Sequence, residues 1–184
     1  LLLIGEPGIA KSVIAQSVCD WIEGAKILTI HCMPDLTKSE TFGPQKLSSL
    51  MKDQYDRNLE GGAADVEILI LEEVYRAGPG VLNSFLLLMN ERIIKMGLVH
   101  KKCPLIFLMG VGNHWQPEGG EEAVRAFADR FELRNQVEAI QTDKGAHDLV
   151  QLPVVGQAKI KRGHTPNPKS KITLEELKQA NRDI

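Results

Sequence analysis

Cysteine is scarce in this 184-residue chain, and the three present, Cys19, Cys32 and Cys103, stand far apart. That spacing matches neither a disulfide framework nor a paired-thiolate metal site, and it suits a reducing compartment. His31 adjoins Cys32 and His114 lies far down the chain, so a zinc cluster among them would be accidental. No run approaches the roughly 18 apolar residues of a membrane-spanning helix, and no basic segment precedes a short apolar one as in a secretion signal. Aromatic residues make up 5% of the chain and the formal net charge is −2, so neither base stacking nor a global positive field argues for nucleic acid as partner. A local basic run, residues 159–171, carries two prolines and a glycine and reads as a solvated loop. Together these absences lead us to expect a cytoplasmic protein.

Apolar residues make up 43% of the chain and charged residues 25%, and the length suits one sizeable core with at most a small appendage. Strand and helix signals alternate. "LLLI" (1–4) is a short apolar run, and "KSVIAQSVCDWIEG" (11–24) places Ile14, Val18 and Ile22 four apart with Gly24 as a stop. "AKILTIHC" (25–32) reads as a second strand and a polar connection follows. Residues 47–60 read as either a short helix or an inserted hairpin. "VEILILEE" (66–73) is a strand apolar over most of its length, as when helices cover both faces of a sheet. "PGVLNSFLLLMNERIIKM" (79–96) opens with Pro79 and spaces Leu82, Phe85, Leu86, Met89 and Ile93 as a long buried helix does. "CPLIFLMGVGN" (103–113) is a fourth strand, "EEAVRAFADR" (121–130) a helix, and "FELRNQV" (131–137) a fifth, more exposed strand. The sum is an α/β fold with a five-stranded, mostly parallel sheet flanked by crossover helices. After a stretch rich in Gly, Pro and Lys, residues 172–184 resume a helical pattern with a capping box from Thr173 to Glu176. The chain begins inside an apolar run without a methionine, which reads as a segment cut from a longer protein.

"GEPGIAKS" (5–12) lies between the first strand and the first helix and follows the phosphate-loop pattern, with Gly5, Lys11 and Ser12 in register and Ala10 at the second glycine. Backbone N–H groups and the helix N-terminus would face phosphate oxygens there; Lys11 would neutralise the β- and γ-phosphates and Ser12 would ligate Mg²⁺. Ala10 suits such a loop only with a negative φ, because a Cβ resists the left-handed region. Glu72 and Glu73 end the third sheet strand, at the edge where α/β sheets bind ligands. Two acids at a strand end can be a solvated edge. In company with a phosphate loop, Glu72 reads as the metal carboxylate and Glu73 as the residue that orients and polarises the attacking water. Asn113 ends the fourth strand within reach of a γ-phosphate or that water, or acts as a plain cap. Arg130 closes the following helix, either as a surface cation at a helix C-terminus or as a charge offered to a neighbouring subunit's phosphate.

In this order the elements resemble the MoxR group of AAA+ ATPases, most closely its RavA branch. The resemblance spans about residues 1–138 and rests on "GEPGIAKS", "FGP" (42–44), "ILEEVYRAGPGVLNSFLLLMNER" (70–92), the asparagine of "GVGN" (110–113) and "FADRFELR" (127–134). It implies ATP and Mg²⁺ as cofactors, bound through Gly5, Glu6, Pro7, Gly8, Ile9, Ala10, Lys11, Ser12 and Val13, with Ser12 and Glu72 toward the metal. It implies Glu73, Asn113, Arg130 and Lys11 as catalytic, Asn113 as the first sensor and Arg130 as an arginine finger. A ring, usually hexameric, would place ATP between subunits, and relatives are thought to remodel or mature protein complexes, often with a von Willebrand factor A domain partner. A clade-typical insert falls around 45–63 and a hairpin around 94–103. The resemblance assigns 1–138 to the nucleotide-binding core and 139–184 to a linker and a partial lid.

Three departures stand out. The family has Asp where this chain has Glu72, and a carboxylate displaced by about an ångström can lower a rate a hundredfold. Alanine at position 10 is shared with the RavA-like branch. Residues that precede the first strand and line an adenine pocket are missing from the chain, and the lid's second sensor arginine has only Arg162 and Arg182 as candidates. Two rivals to a remodelling ATPase follow: a nucleotide-gated scaffold with little hydrolysis, suggested by Glu72, and a DNA-acting motor or loader, whose cheapest sign would be salt-sensitive DNA binding.

Overall fold

The computed structural model describes residues 1–97, 99–113, 122–139 and 171–180. In chain order these form β1 (Leu2–Ile4), α1 (Lys11–Cys19), β2 (Ile22–Glu23), β3 (Ile27–His31), α2 (Lys38–Phe42), α3 (Leu47–Leu50), β4 (Ile68–Glu72), α4 (Pro79–Glu91), β5 (Ile93–Met96), β6 (Val99–Lys102), β7 (Phe107–Gly112), α5 (Glu122–Ala128), β8 (Arg134–Gln136), β9 (Ile172–Thr173) and α6 (Leu174–Ala180). Five strands make one sheet in the order β3-β4-β7-β1-β8, every neighbouring pair parallel. This is the α/β, P-loop-type sheet that the alternating pattern predicts.

β4 shows how the sequence builds the layers. Successive strand side chains face opposite sides, so Leu69 and Leu71 join the core under α4, while Ile68 and Ile70 pack with Ala15 and Cys19 of α1 on the other side. A chain of tilted rings, Phe42–Phe85–Phe127–Phe131 at centroid separations of 5.6, 6.4 and 5.2 Å, ties α2, α4 and α5 together beneath the sheet. Burying a Phe is worth roughly 1.5–3 kcal/mol, so this row is a large part of what holds those helices down.

Several boundaries differ from the sequence reading. The first helix ends at Cys19 rather than near Gly24, because Ile22 and Glu23 leave it to pair with Ile172 and Thr173 of β9. The long helix stops at Glu91 as Arg92 turns to φ 55°, and Ile93, which fits the helical spacing, opens β5 instead. β5 and β6 are the antiparallel hairpin that the resemblance placed at 94–103. A helix absent from the sequence reading, α2, sits in the polar connection; its capping box is complete, with Glu40 N–H donating to Thr37 and Thr37 N–H donating to Glu40. The 47–60 stretch contains both readings: one helical turn, α3, and a hairpin-like return closed by a bridge between Gln45 and Arg57. Gly43 of "FGP" sits at φ 94°, where a Cβ would run into the Asn58 carbonyl, so this turn requires glycine.

The capping box of the last helix is present, with Glu176 N–H donating to Thr173 Oγ1 at 3.3 Å and Thr173 N–H donating to Glu176 at 2.8 Å. Residues 181–184 of that pattern lie outside the described residues, as do Arg162, Arg182, His114 and most of the basic run. Among the described residues no helix is long and apolar enough to cross a membrane.

Candidate functional site

The C-terminal ends of β1, β3, β4 and β7 deliver polar residues to one edge of the sheet, where α/β folds bind ligands. There a cavity of about 340 Å³ is lined by Pro7, Gly8, Ala10, Lys11, Ser12 and Val13 from the loop after β1, together with His31, Glu72, Glu73, Val111 and Asn113 from the other strands. Sequence-nominated residues from three separate stretches thus share one space. Gly5, Glu6 and Ile9 shape the loop without lining the cavity. A Cβ at Gly5 would strike the Val137 carbonyl and the Ile9 side chain, which is why glycine opens the loop.

Ala10 departs from the expectation of a negative φ. It sits at φ 63°, ψ 26°, in the left-handed region, immediately before α1. The turn needs that conformation whichever residue occupies it: Ala10 O accepts the first helical bond, from Ile14 N–H at 3.0 Å, and the tight reversal delivers Lys11 as the first helical residue. The strain, roughly 1–2 kcal/mol for a residue with a Cβ, is borne by the rest of the fold.

Lys11 is 6% exposed, and its Nζ donates to Gly5 O at 2.8 Å, Glu6 O at 2.6 Å and Asn113 Oδ1 at 3.1 Å. Three oxygen acceptors satisfy the buried ammonium and aim it into the loop. Asn113, just past β7, also donates from Nδ2 to both carboxylate oxygens of Glu73, at 2.7 and 2.9 Å. Strand alternation alone would turn Glu72 and Glu73 to opposite faces. Glu73 lies one residue beyond β4 at φ 51°, ψ 42°, and this left-handed turn brings both acids to the same cavity. A non-glycine residue at positive φ is uncommon, and such positions cluster at functional sites.

His31 is the site residue that the sequence reading missed, having weighed it only beside Cys32. It ends β3 directly across from Glu72 in the parallel register, with Nδ1 3.7 Å from Glu72 Oε2. A polar residue closing an apolar strand in this fold class was the available signal. Cys32 follows it, buried, its N–H donating to Glu72 O at 2.8 Å. Burial, then the charges of Glu72 and Glu73, push the Cys32 thiol up to about 12. Near neutral pH it is a protonated core residue rather than a thiolate ligand.

Arg130 lies apart from this cavity, exposed in the turn after α5, its N–H donating to Phe127 O at 3.2 Å. The arrangement suits a polyphosphate with a hard dication: loop amides at a helix N-terminus, a buried ammonium, the Ser12 hydroxyl and two carboxylates. Among the described residues no three His, Cys, Asp or Glu side chains form a self-sufficient metal cage.

Comparisons with known proteins bear on the family and the fold. Residues 1–181 match the family model described as the MoxR domain in MoxR–vWA–β-propeller ternary systems. Two uncharacterized proteins of Methanocaldococcus jannaschii are similar: MJ0079, 33% identical over 97% of this chain and 43% of that protein, and MJ0812, 34% identical over 82% of this chain and 40% of that protein. The chain thus spans less than half the length of these relatives. Among solved structures, a candidate ATPase of Cytophaga hutchinsonii superposes with TM-score 0.67 at 18% identity, over 99% of this chain and 52% of that one. NtrX of Brucella abortus superposes with TM-score 0.58, also at 18% identity, over 76% of this chain and 32% of that one. At that identity these two speak for the fold.

Proposed function

The chain belongs to the MoxR family of AAA+ domains, and from that premise we propose that its cavity binds and hydrolyses Mg²⁺-ATP and that turnover drives a change of shape in a ring of subunits. The observation that carries the proposal is the side chain of Asn113, hydrogen-bonded to Lys11 on one side and Glu73 on the other.

Each residue then has a task. The loop from Gly5 to Val13 cradles the phosphates through the N–H groups of residues 8–13, and Lys11 offsets their charge. Ser12 and Glu72 hold Mg²⁺, which when bound neutralises charge developing on the phosphate oxygens. Glu73 accepts a proton from, or orients, the attacking water, and Asn113 fixes the Glu73 carboxylate while reading the γ-phosphate position through Lys11. Arg130 lies outside its own chain's cavity, and we assign it to a neighbouring subunit's γ-phosphate, where a planar, permanently charged guanidinium suits a developing anion.

At the level of the assembly we propose a hexameric cytoplasmic ring that remodels or matures a protein partner. The family description, with its vWA and β-propeller components, supports a von Willebrand factor A domain protein as that partner. Nucleic acid is not the partner we favour, on the near-neutral charge and low aromatic content. We propose the RavA branch within the family, with which Ala10 is compatible, and we divide the chain into a core, 1–138, and a linker with lid-forming segment, 139–184.

Glu73→Gln tests the reading. Calorimetry should show nucleotide still binding, while turnover falls by about 10²–10⁴. Loss of binding with the fold intact would remove the role given to Glu73. Tight binding without turnover in the unmodified chain, at every protein concentration, would favour the nucleotide-gated scaffold suggested by Glu72.

A further inference from the structure

We infer that His31 joins Glu72 as a direct ligand of the divalent cation, and that the site in consequence prefers a first-row transition dication, Mn²⁺ included, to Mg²⁺. The inference rests on the nucleotide-site reading above and concerns which metal accompanies the nucleotide.

His31 and Glu72 end adjacent parallel strands at matched register and both line the cavity that also contains Ser12. Their facing atoms, Nδ1 and Oε2, are 3.7 Å apart. That is too long for a hydrogen bond, and neither side chain has another polar partner among the described residues. Two donors each about 2.1 Å from one octahedral ion stand about 3 Å apart when adjacent and about 4.2 Å apart when opposite. The observed separation falls between those limits, so a modest side-chain rotation lets both reach one ion. Both side chains have the freedom for it: His31 is 53% and Glu72 26% exposed at the side chain.

The two methylenes of Glu72 carry its carboxylate beyond the end of β4. A glutamate beside a histidine makes a mixed oxygen and nitrogen donor pair. Mg²⁺ takes oxygen ligands and dehydrates reluctantly, whereas first-row transition dications accept an imidazole nitrogen more readily, Mn²⁺ least among them but still more than Mg²⁺. With Ser12, the protein supplies three donors of differing softness, and phosphate oxygens and water complete the shell.

The test uses the whole chain with Mn²⁺ and a non-hydrolysable ATP analogue at pH 8. Pulsed electron paramagnetic resonance reads ¹⁴N modulation from an imidazole bound to Mn²⁺, and calorimetry reads nucleotide binding separately. The expected result is ¹⁴N modulation in the unmodified chain that disappears in both His31→Gln and His31→Asp. The Mn²⁺ over Mg²⁺ affinity ratio should fall about tenfold in each. Nucleotide and Mn²⁺ bound without ¹⁴N modulation, or with modulation that survives both substitutions, would overturn the inference and leave the nucleotide site standing. Failure of the unmodified chain to bind nucleotide with either metal would remove the site reading and the inference together.

Discussion

Asn113 joins Lys11 to Glu73: its Oδ1 accepts from Lys11 Nζ at 3.1 Å and its Nδ2 donates to both oxygens of the Glu73 carboxylate at 2.7 and 2.9 Å. One amide thus sets the distance between the phosphate-binding ammonium and the water-activating acid. Asn113→Ala should release Glu73 and lower kcat by about 10²-fold, the loss expected when a reacting group drifts by an ångström. KM should change far less, since the loop amides and Lys11 remain. Steady-state kinetics at saturating and limiting ATP separate the two effects, and a rise in KM with kcat intact would count against a positioning role.

The left-handed Ala10 makes a stability prediction of unusual sign. Glycine carries no Cβ penalty at φ 63°, but it loses more backbone entropy on folding than alanine. The first effect, roughly 1–2 kcal/mol, exceeds the second, roughly 0.4–1 kcal/mol, so Ala10→Gly should stabilise the chain by about 0.5–1 kcal/mol. Urea unfolding would show it as a higher midpoint at unchanged slope. A lower midpoint would mean that alanine relieves a cost elsewhere in the loop.

Cys32 predicts a loss of stability in base. Burial and the two acids raise its thiol from a reference of 9.0 to about 12. Between those values the unfolded chain releases the proton and the folded chain keeps it, so the folded state binds more protons and stability falls as pH rises through that window. Below pH 9 the contribution is fully present. Cys32→Ala should flatten the decline in unfolding free energy measured from pH 8 to 10. In the native protein at pH 8, Cys32 should resist alkylation that modifies it readily in urea, as mass spectrometry of the labelled chain would report.

Arg130 tests whether the site is completed across an interface. Chains carrying Arg130→Ala and chains carrying Glu73→Gln should each be inactive alone. Mixed, they should recover part of the turnover, because some interfaces pair an intact arginine with an intact cavity. Mixed assembly demonstrated by mass, without recovery, would assign Arg130 to the role of a surface cation at a helix C-terminus, which its exposed place after α5 also allows.

Much of this was legible in the chain itself. The apolar run ending in Glu72 and Glu73, the loop from Gly5 to Ser12, and the repeated strand and helix signals are local patterns, and local patterns dictate an α/β layer order and the edge at which its polar residues collect. The Thr37 to Glu40 capping box was equally local, yet the sequence reading passed over it, because the stretch around it is polar and carries no apolar periodicity.

Only the tertiary structure decided the rest, because it depends on partners distant in sequence. Ile22 left its helix because Ile172 offered a strand, 150 positions away. Ala10 and Glu73 took left-handed conformations that their own side chains disfavour, since the loop and the strand end had to meet Lys11 and Asn113 in one cavity. His31 closes an apolar strand, which is a local signal, but that it faces Glu72 followed only from the register of β3 against β4. Periodicity and turn chemistry therefore determined which elements form and in what order, while strand pairing and packing decided which side chains face one another.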